Sequence, residues 1–123
     1  MQREIKFRAW VKEAMPQVIF QDNMQPVKII NWEQGSFATE SAAWFDIGGK
    51  APLMQFTGLL DKNRKEIYEG DIIEDSVGNA VVIFKDGAFR IDIAFCPILG
   101  EYNYSCSVLG NIYENPNLRK ETN

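Results

Sequence analysis

The sequence predicts a mainly β protein built from short strands. Apolar and polar residues alternate in several runs, which is the pattern of a strand with one face in solvent. Turn residues, chiefly glycine and aspartate, separate these runs at intervals of about ten residues. Aromatic residues make up 12% of the chain, and their side chains suit the half-buried surface of a sheet. The 123 residues are enough for one domain with its own core, so we expect a single domain over residues 1–118 and a frayed tail at 119–123.

Three strand-like runs lie in the first third of the chain. Residues 3–10 alternate, with Ile5 and Phe7 on one face, and are predicted to form the first strand. Residues 17–20 and 27–32 are β-prone runs that each follow a proline, and a turn is expected between them.

Residues 33–50 contain three glycines and show no clear period. We expect this segment to be irregular or to hold a short helix around residues 39–45, capped by hydroxyl side chains. Trp44 and Phe45 would then pack inward.

The most informative stretch is LMQFTGLLDKNRKEIYEGDII at residues 53–73. Residues 53–60 read as a strand, and residues 61–65 as a turn rich in side chains that bond their own backbone. In the second turn Gly70 is expected to need a positive φ, and the carboxylate of Asp71 is expected to accept hydrogen bonds from turn amides.

The clearest β pattern follows this stretch. Strands are predicted at residues 72–75, 80–84 and 89–95, and Asp86-Gly87 between the last two is a strong hairpin signal. A final strand is expected within residues 106–113. Because an open meander of this size would leave its edges unpaired, the sequence favours a small SH3-like roll or barrel over residues 53–113, with the N-terminal strands packed against it.

Composition excludes several kinds of chemistry. The chain has no histidine, which removes the commonest general base near neutral pH and the commonest transition-metal ligand. Cys96 and Cys106 lack the spacing of a redox or zinc motif and are expected to be free thiols, although a bridge across paired strands is open. The net charge of −4 disfavours generic binding to polyanions. With no signal peptide and no apolar run long enough to span a membrane, we expect a cytoplasmic protein.

Three segments resemble the YopX family of bacteriophage and prophage proteins. They are REIKFRAW at residues 3–10, the stretch at residues 53–73, and GNIYENP at residues 110–116. The sequence departs from the family pattern at Leu60, where a charged residue is commoner, and at Arg64, where a glycine usually follows Asn63. The resemblance implies a mainly β, SH3-like protein of a mobile element in the cytoplasm of a bacterial host. It implies no established activity and no catalytic residues.

Two groups of side chains are candidates for function. Acidic residues are dense in residues 61–75 and offer a site for Mg²⁺ or acid–base work, but acids at turns and strand ends more often serve the backbone and solubility. Aromatic and basic side chains offer an interaction surface for protein or for single-stranded nucleic acid. The members predicted for this surface are Trp10, Tyr68, Lys62, Arg64 and Lys65.

The remaining motif residues are expected to be structural, because their glycines fit no phosphate-binding pattern. The predicted turn or bulge positions are Gly58, Gly70, Asp71, Asp86, Gly87 and Gly110. The leading hypothesis is therefore a non-enzymatic accessory protein without a cofactor, which acts by protein contacts as a homo-oligomer or with a host or phage protein. The alternative is a module that binds single-stranded nucleic acid; a metal-dependent enzyme is a third reading.

Overall fold

The computed structural model describes residues 4–11, 23–40, 44–76 and 78–119. The chain divides into two compact units. The N-terminal unit is Ile5–Gln55, and the C-terminal unit is Phe56–Asn123 together with Met1–Glu4. The expectation of one domain over residues 1–118 stays a prediction.

The strands of the N-terminal unit are β1 (Phe7–Val11), β2 (Asn23–Asn31), β3 (Ser36–Thr39), β4 (Trp44–Asp46) and β5 (Leu53–Leu60), the last of which ends in the C-terminal unit. They form an antiparallel sheet in the order β4-β3-β2-β1-β5. Phe7 lies opposite Gln55 and Arg8 opposite Met54 where β1 pairs with the beginning of β5.

One face of this sheet forms the first core. Ala9 and Val11 of β1 pack with Phe37 of β3, and all three are fully buried. The ring of Phe37 lies 5.6 Å from that of Phe45 in β4. The alternation predicted this strand only in part: Ala9 is buried and Phe7 half-buried, but Ile5 precedes β1 and is 65% exposed.

The helix expected around residues 39–45 is wrong where the structure describes it. Thr39 is the last residue of β3, and Trp44 and Phe45 begin β4. Phe45 pairs with Phe37 across the two strands, and this packing overrides the weak capping signal of the hydroxyl residues. The strand predicted at residues 17–20 lies outside the described residues.

The elements that begin in the C-terminal unit are β6 (Glu66–Tyr68), β7 (Asp71–Glu74), β8 (Asn79–Lys85), β9 (Ala88–Ile91), β10 (Ser107–Asn111) and α1 (Pro116–Arg119). The end of β5 pairs with β6, and the other strands form a four-stranded antiparallel sheet in the order β10-β7-β8-β9. Two short 3-10 turns, Leu99–Glu101 and Asn103–Ser105, lie between β9 and β10. The one short α-helix of the described residues follows β10 rather than lying near residue 40.

The mainly β class is confirmed, but the sheets are not closed into a barrel, which corrects the closed arrangement predicted for residues 53–113. Loops occupy the outer sides of the four-stranded sheet instead. On β9 the amide of Ile91 donates to the carbonyl of Pro97. At β10 the amide of Val108 donates to the Asp61 carboxylate. Loop groups thus satisfy edge positions that closure would have paired.

The second core lies within the C-terminal unit. Ile67 of β6, Val82 of β8 and Leu99 of the first 3-10 turn are fully buried together, with Cys106 beside them. Cys96 and Cys106 are both free thiols. Burial, reinforced by the carboxylates of Asp61 and Asp75, raises the pKa of the Cys106 thiol to about 11. Cys106 is therefore a protonated core residue and a poor nucleophile at neutral pH.

The predicted hairpin turn at Asp86-Gly87 is present between β8 and β9. Both residues have positive φ, 51° for Asp86 and 78° for Gly87, as a two-residue type I′ turn requires. β9 then ends at Ile91, four residues before the predicted end of the strand, because the chain turns there and Ile93 is exposed. No helix in the described ranges has the length and apolar character needed to cross a membrane.

Candidate functional site

The loop of residues 61–65 is organised by one carboxylate, that of Asp61. Its Oδ1 accepts from the backbone amides of Asn63 at 2.8 Å and Lys65 at 2.9 Å. Its Oδ2 accepts at 2.8 Å from the amide of Val108, which is 47 residues further along the chain. Asp61 is only 5% exposed, so one buried side chain both shapes the loop and joins it to β10.

The ionised form of Asp61 is the one this environment favours. Burial alone would raise the pKa of the carboxyl. The amide donors of Val108, Lys65 and Asn63, with the charge of Lys65, outweigh that effect and hold the pKa below its ordinary value of 3.8. The carboxylate is therefore a permanent anion at neutral pH whose oxygens are engaged by the protein's own backbone.

Thr57 and Gly58 shape the bulge in β5. The hydroxyl of Thr57 donates to the carbonyl of Ile67 at 2.7 Å and accepts from the amide of Leu59 at 3.2 Å. Gly58 has a φ of 85°, and the pairing of β5 with β6 shifts register across it. A positive φ at a register shift is the geometry of a β-bulge, and it falls at the residue where the sequence predicts a turn or bulge.

The turn before β7 is shaped by Gly70 and Asp71. Gly70 has a φ of 87°, in the region that side-chain-bearing residues avoid. The Oδ2 of Asp71 accepts from the amide of Tyr68 at 2.8 Å, and Asp71 is 1% exposed. The carboxylate of Asp71 thus fixes the start of β7, as expected for an acid that follows a tight turn.

The segment GNIYENP is a turn held by Asn111. Its Oδ1 accepts from the amides of Tyr113 at 3.0 Å and Glu114 at 2.9 Å, while its Nδ2 donates to Glu114 Oε2 at 2.9 Å. A β carbon on Gly110 would lie 2.7 Å from Cγ of Asn115, so a larger residue here would push the Asn115 side chain away from the Asn111 amide that it accepts from. Asn111 and Glu114 therefore have structural roles in this segment.

Three predicted surface residues do gather on one exposed loop. Lys62, Arg64 and Lys65 are all exposed on the loop that Asp61 shapes. Arg64 adopts a φ of 65°, and its amide donates to the carbonyl of Asp61. The departure from the family pattern therefore falls on a position where the backbone favours glycine.

We expect Arg64→Gly to raise the free energy of unfolding by about 0.5–1 kcal/mol, because relief of the left-handed backbone exceeds the greater entropy of an unfolded glycine. Urea denaturation monitored by tryptophan fluorescence measures the change. Lys62→Gly is the matched control, since Lys62 lies in the same loop without a positive φ and should lose stability. A loss of stability in both variants would contradict the argument.

The two aromatic members of the predicted surface do not share a unit. Trp10 is half-buried in β1 of the N-terminal unit, where its amide donates to the carbonyl of Pro52. Tyr68 is half-buried in β6 of the C-terminal unit, with its ring 5.4 Å from that of Phe56. Because Trp10 and Tyr68 lie in different units, neither unit alone presents the complete predicted set.

The acidic residues do not converge in the ranges that the structure describes. No group of three carboxylates or thiols there lies close enough together to hold a metal ion. Asp61 and Asp71 direct their oxygens to backbone amides. A role for the remaining acids in chemistry stays untested.

Sequence reasoning missed two kinds of residue. It did not single out Asp61 or Asn111 as turn anchors, although Asp-x-Asn and Asn-x-Tyr-Glu offer the local signal of side chains that bond amides two or three residues on. It also did not single out the exposed apolar side chains after β9. Phe95 is 69% and Tyr104 70% exposed. The polar residues Asp92 and Asn103 interleaved among them are the only hint in the sequence.

These features define a mainly β protein in which the buried side-chain oxygens of Asp61, Asp71 and Asn111 fix turns. A family model described as YopX protein matches residues 6–120, and the chain belongs to that family, which confirms the resemblance seen in the sequence.

Two solved structures share the fold. Protein EF1440 from Enterococcus faecalis is 26% identical, with a TM-score of 0.63 over 95% of this chain and 99% of that one. Protein yopX from Bacillus subtilis is 21% identical, with a TM-score of 0.62 over 92% of this chain and 96% of that one. No curated protein matched.

Proposed function

We propose that this YopX-family chain is a non-enzymatic accessory protein of a mobile element that acts through protein–protein contacts in the cytoplasm of a bacterial host. The single observation that carries the proposal is the contrast between its polar and apolar side chains. The buried acids Asp61 and Asp71 are bonded to backbone amides. Large apolar side chains such as Phe84, Phe95 and Tyr104 remain exposed. Such surfaces suit recognition better than chemistry.

The mobile-element origin rests on what the family resemblance implies. Self-association is part of the proposal, because a small protein with exposed aromatic side chains gains by covering them with a second copy. The exposed aromatic side chains occur in both units, with Trp32 and Trp44 in the N-terminal one.

Binding of single-stranded nucleic acid is the second candidate. The observation in its favour is the loop that exposes Lys62, Arg64 and Lys65 together. Against it stands the charge of the C-terminal unit that carries this loop. The N-terminal unit holds five basic and five acidic residues, so the other eight basic and twelve acidic residues, with the whole net charge of −4, belong to the C-terminal unit. That charge repels phosphates at long range.

Light scattering over a range of protein concentrations, joined to a pull-down from lysate of a bacterial host, tests the leading proposal. We expect a mass above that of the 14.1 kDa monomer, or a specific partner. A strict monomer with no partner in the pull-down would count against the proposal. Fluorescence anisotropy with labelled oligothymidine at low salt tests the second candidate, which requires binding that weakens with salt and with Tyr68→Ala.

A further inference from the structure

The connection between β9 and β10 exposes an unusual concentration of apolar side chains. Within residues 92–105, five large apolar residues are exposed by more than a third. Single exposed apolar residues are ordinary on protein surfaces, but a run of this density is typical of an interaction site. The five are Ile93, Phe95, Ile98, Tyr102 and Tyr104.

Hydrogen bonds hold this connection in one shape. The amide of Cys96 donates to the carbonyl of Ile93 at 2.8 Å, which closes a four-residue turn. Phe95 is one of the two central residues of this turn. The guanidinium of Arg90 joins this turn to the end of β8, with Nη1 donating to the carbonyl of Cys96 at 3.1 Å and Nε to that of Lys85 at 2.9 Å. Phe95 is therefore displayed by a fixed backbone.

The far end of the connection is fixed in the same way. The side-chain amide of Asn103 donates to the carbonyl of Leu60 at 2.7 Å, next to the exposed ring of Tyr104. Preorganisation of this kind lowers the entropy lost when a partner binds, so exposed rings on such a connection make stronger anchors than rings on a mobile one.

The charge of the connection indicates the kind of partner. Residues 91–105 include Asp92 and Glu101, both exposed, and contain no lysine or arginine. The basic residue that precedes them, Arg90, directs its donors to two backbone carbonyls. The C-terminal unit as a whole carries the net charge of −4, so a second copy of this unit would meet it with the same sign.

We propose that residues 92–105 are a docking surface for a partner protein that presents a short apolar segment flanked by lysine or arginine. Phe95 is the central anchor and Tyr104 the second. This inference rests on the proposed function and adds to it the surface and the chemistry of the partner. Apolar contact supplies the affinity, while the acids select a basic partner and speed its approach.

The test uses three labelled synthetic peptides and fluorescence anisotropy. The first has a central leucine-phenylalanine cluster flanked by lysines, the second has the same cluster flanked by glutamates, and the third has lysines with serines in place of the cluster. We expect only the first to bind the full chain at low salt, and its affinity to fall about fivefold or more at about 0.3 M NaCl.

Variants distinguish specific binding at residues 92–105 from non-specific binding to any exposed apolar side chain. Phe95→Ser should weaken binding of the first peptide about tenfold or more, and Glu101→Gln should reduce the salt dependence. Trp32→Ser is the matched control, because Trp32 is equally exposed at 67% but lies in the N-terminal unit. It should leave the affinity unchanged. Thermal unfolding of each variant verifies that the fold is retained.

Equal binding of the glutamate-flanked peptide, equal loss in Trp32→Ser and Phe95→Ser, or no binding of any peptide would overturn the inference. Sedimentation of the protein without peptide measures its self-association. This measurement distinguishes failure of the proposed docking surface from failure of the proposed function. Self-association that survives Phe95→Ser, in a protein that binds no peptide, leaves the proposed function standing without this surface. Self-association that Phe95→Ser abolishes would make a second copy the occupant and overturn the choice of a basic partner.

Discussion

Asp61→Ala is expected to cost on the order of 3 kcal/mol of unfolding free energy, the largest effect of any single substitution in the 61–65 loop. The substitution removes the acceptor of three backbone amides, those of Asn63, Lys65 and Val108. Because Asp61 is 5% exposed, water replaces these bonds poorly. Urea denaturation at neutral pH measures the loss.

Asp75→Ala is the matched control for this prediction. Asp75 is an exposed aspartate that accepts from the amide of Gly78 at 3.1 Å in the turn between β7 and β8. Its removal should cost less than about 1 kcal/mol. Similar losses in the two variants would show that Asp61 is not a special anchor.

The contribution of Asp61 should also depend on pH in a defined direction. The pKa of Asp61 is lowered in the folded protein, so the folded state holds fewer protons than the unfolded state in the acid range. The stability that results is complete above the ordinary pKa of an unfolded aspartate and is lost as the pH falls through the folded pKa. The difference in stability between wild type and Asp61→Ala should therefore be constant near neutrality and shrink in acid. A difference that grows in acid would contradict the sign of the shift.

Asn111→Ala is expected to cost about 2–3 kcal/mol, because two backbone amides lose their acceptor at a residue that is 4% exposed. The bond from Nδ2 to the Glu114 carboxylate is lost as well. Thermal unfolding by circular dichroism, with urea denaturation for the free energy, measures this change.

The control for the Asn111→Ala prediction exchanges the carboxylate and the amide between residues 111 and 114. Asn111→Asp keeps the acceptor oxygen but places a second carboxylate against Glu114, so it should be destabilising at neutral pH. Addition of Glu114→Gln supplies a donor for the new carboxylate and should recover most of the loss. Failure of the double variant to recover, with an unchanged turn, would mean that the side-chain pair is not what stabilises the segment.

Local signals in the sequence predicted the local structure well. Gly70, Asp71 and the Asp86-Gly87 hairpin were predictable because the turn chemistry lies within two or three residues. The alternation of Ile5, Phe7 and Ala9 placed Ala9 correctly in a buried core, whereas Ile5 is exposed before the strand begins.

What the sequence could not supply were the contacts between distant residues. The hydrogen bond from the amide of Val108 to the carboxylate of Asp61 joins residues 47 positions apart, and no local sequence pattern predicts it. The pairing of Phe45 with Phe37 likewise turned an apparent helix into a strand. The closed barrel was inferred from the need to protect sheet edges, and the protein meets that need with loops.

Of the candidate site, sequence reasoning found the exposed cations of the 61–65 loop but not the apolar surface at residues 92–105. The missed surface arises because β9 ends at Ile91 and the chain leaves the sheet. Residues that would have been buried by a longer strand, such as Ile93 and Phe95, are thereby exposed. Alternation alone cannot locate the point where a strand stops.

The loops at the two outer strands of the four-stranded sheet have a consequence for assembly. The amide of Ile91 is already bonded to the carbonyl of Pro97, and the amide of Val108 to the carboxylate of Asp61. Another molecule could therefore extend the sheet at these two residues only by displacing Pro97 or Asp61. Fibril-like growth by β-augmentation is thereby obstructed at both ends. Assembly without such displacement must join side chains rather than backbones at these positions, which leaves its specificity open to change by point mutation.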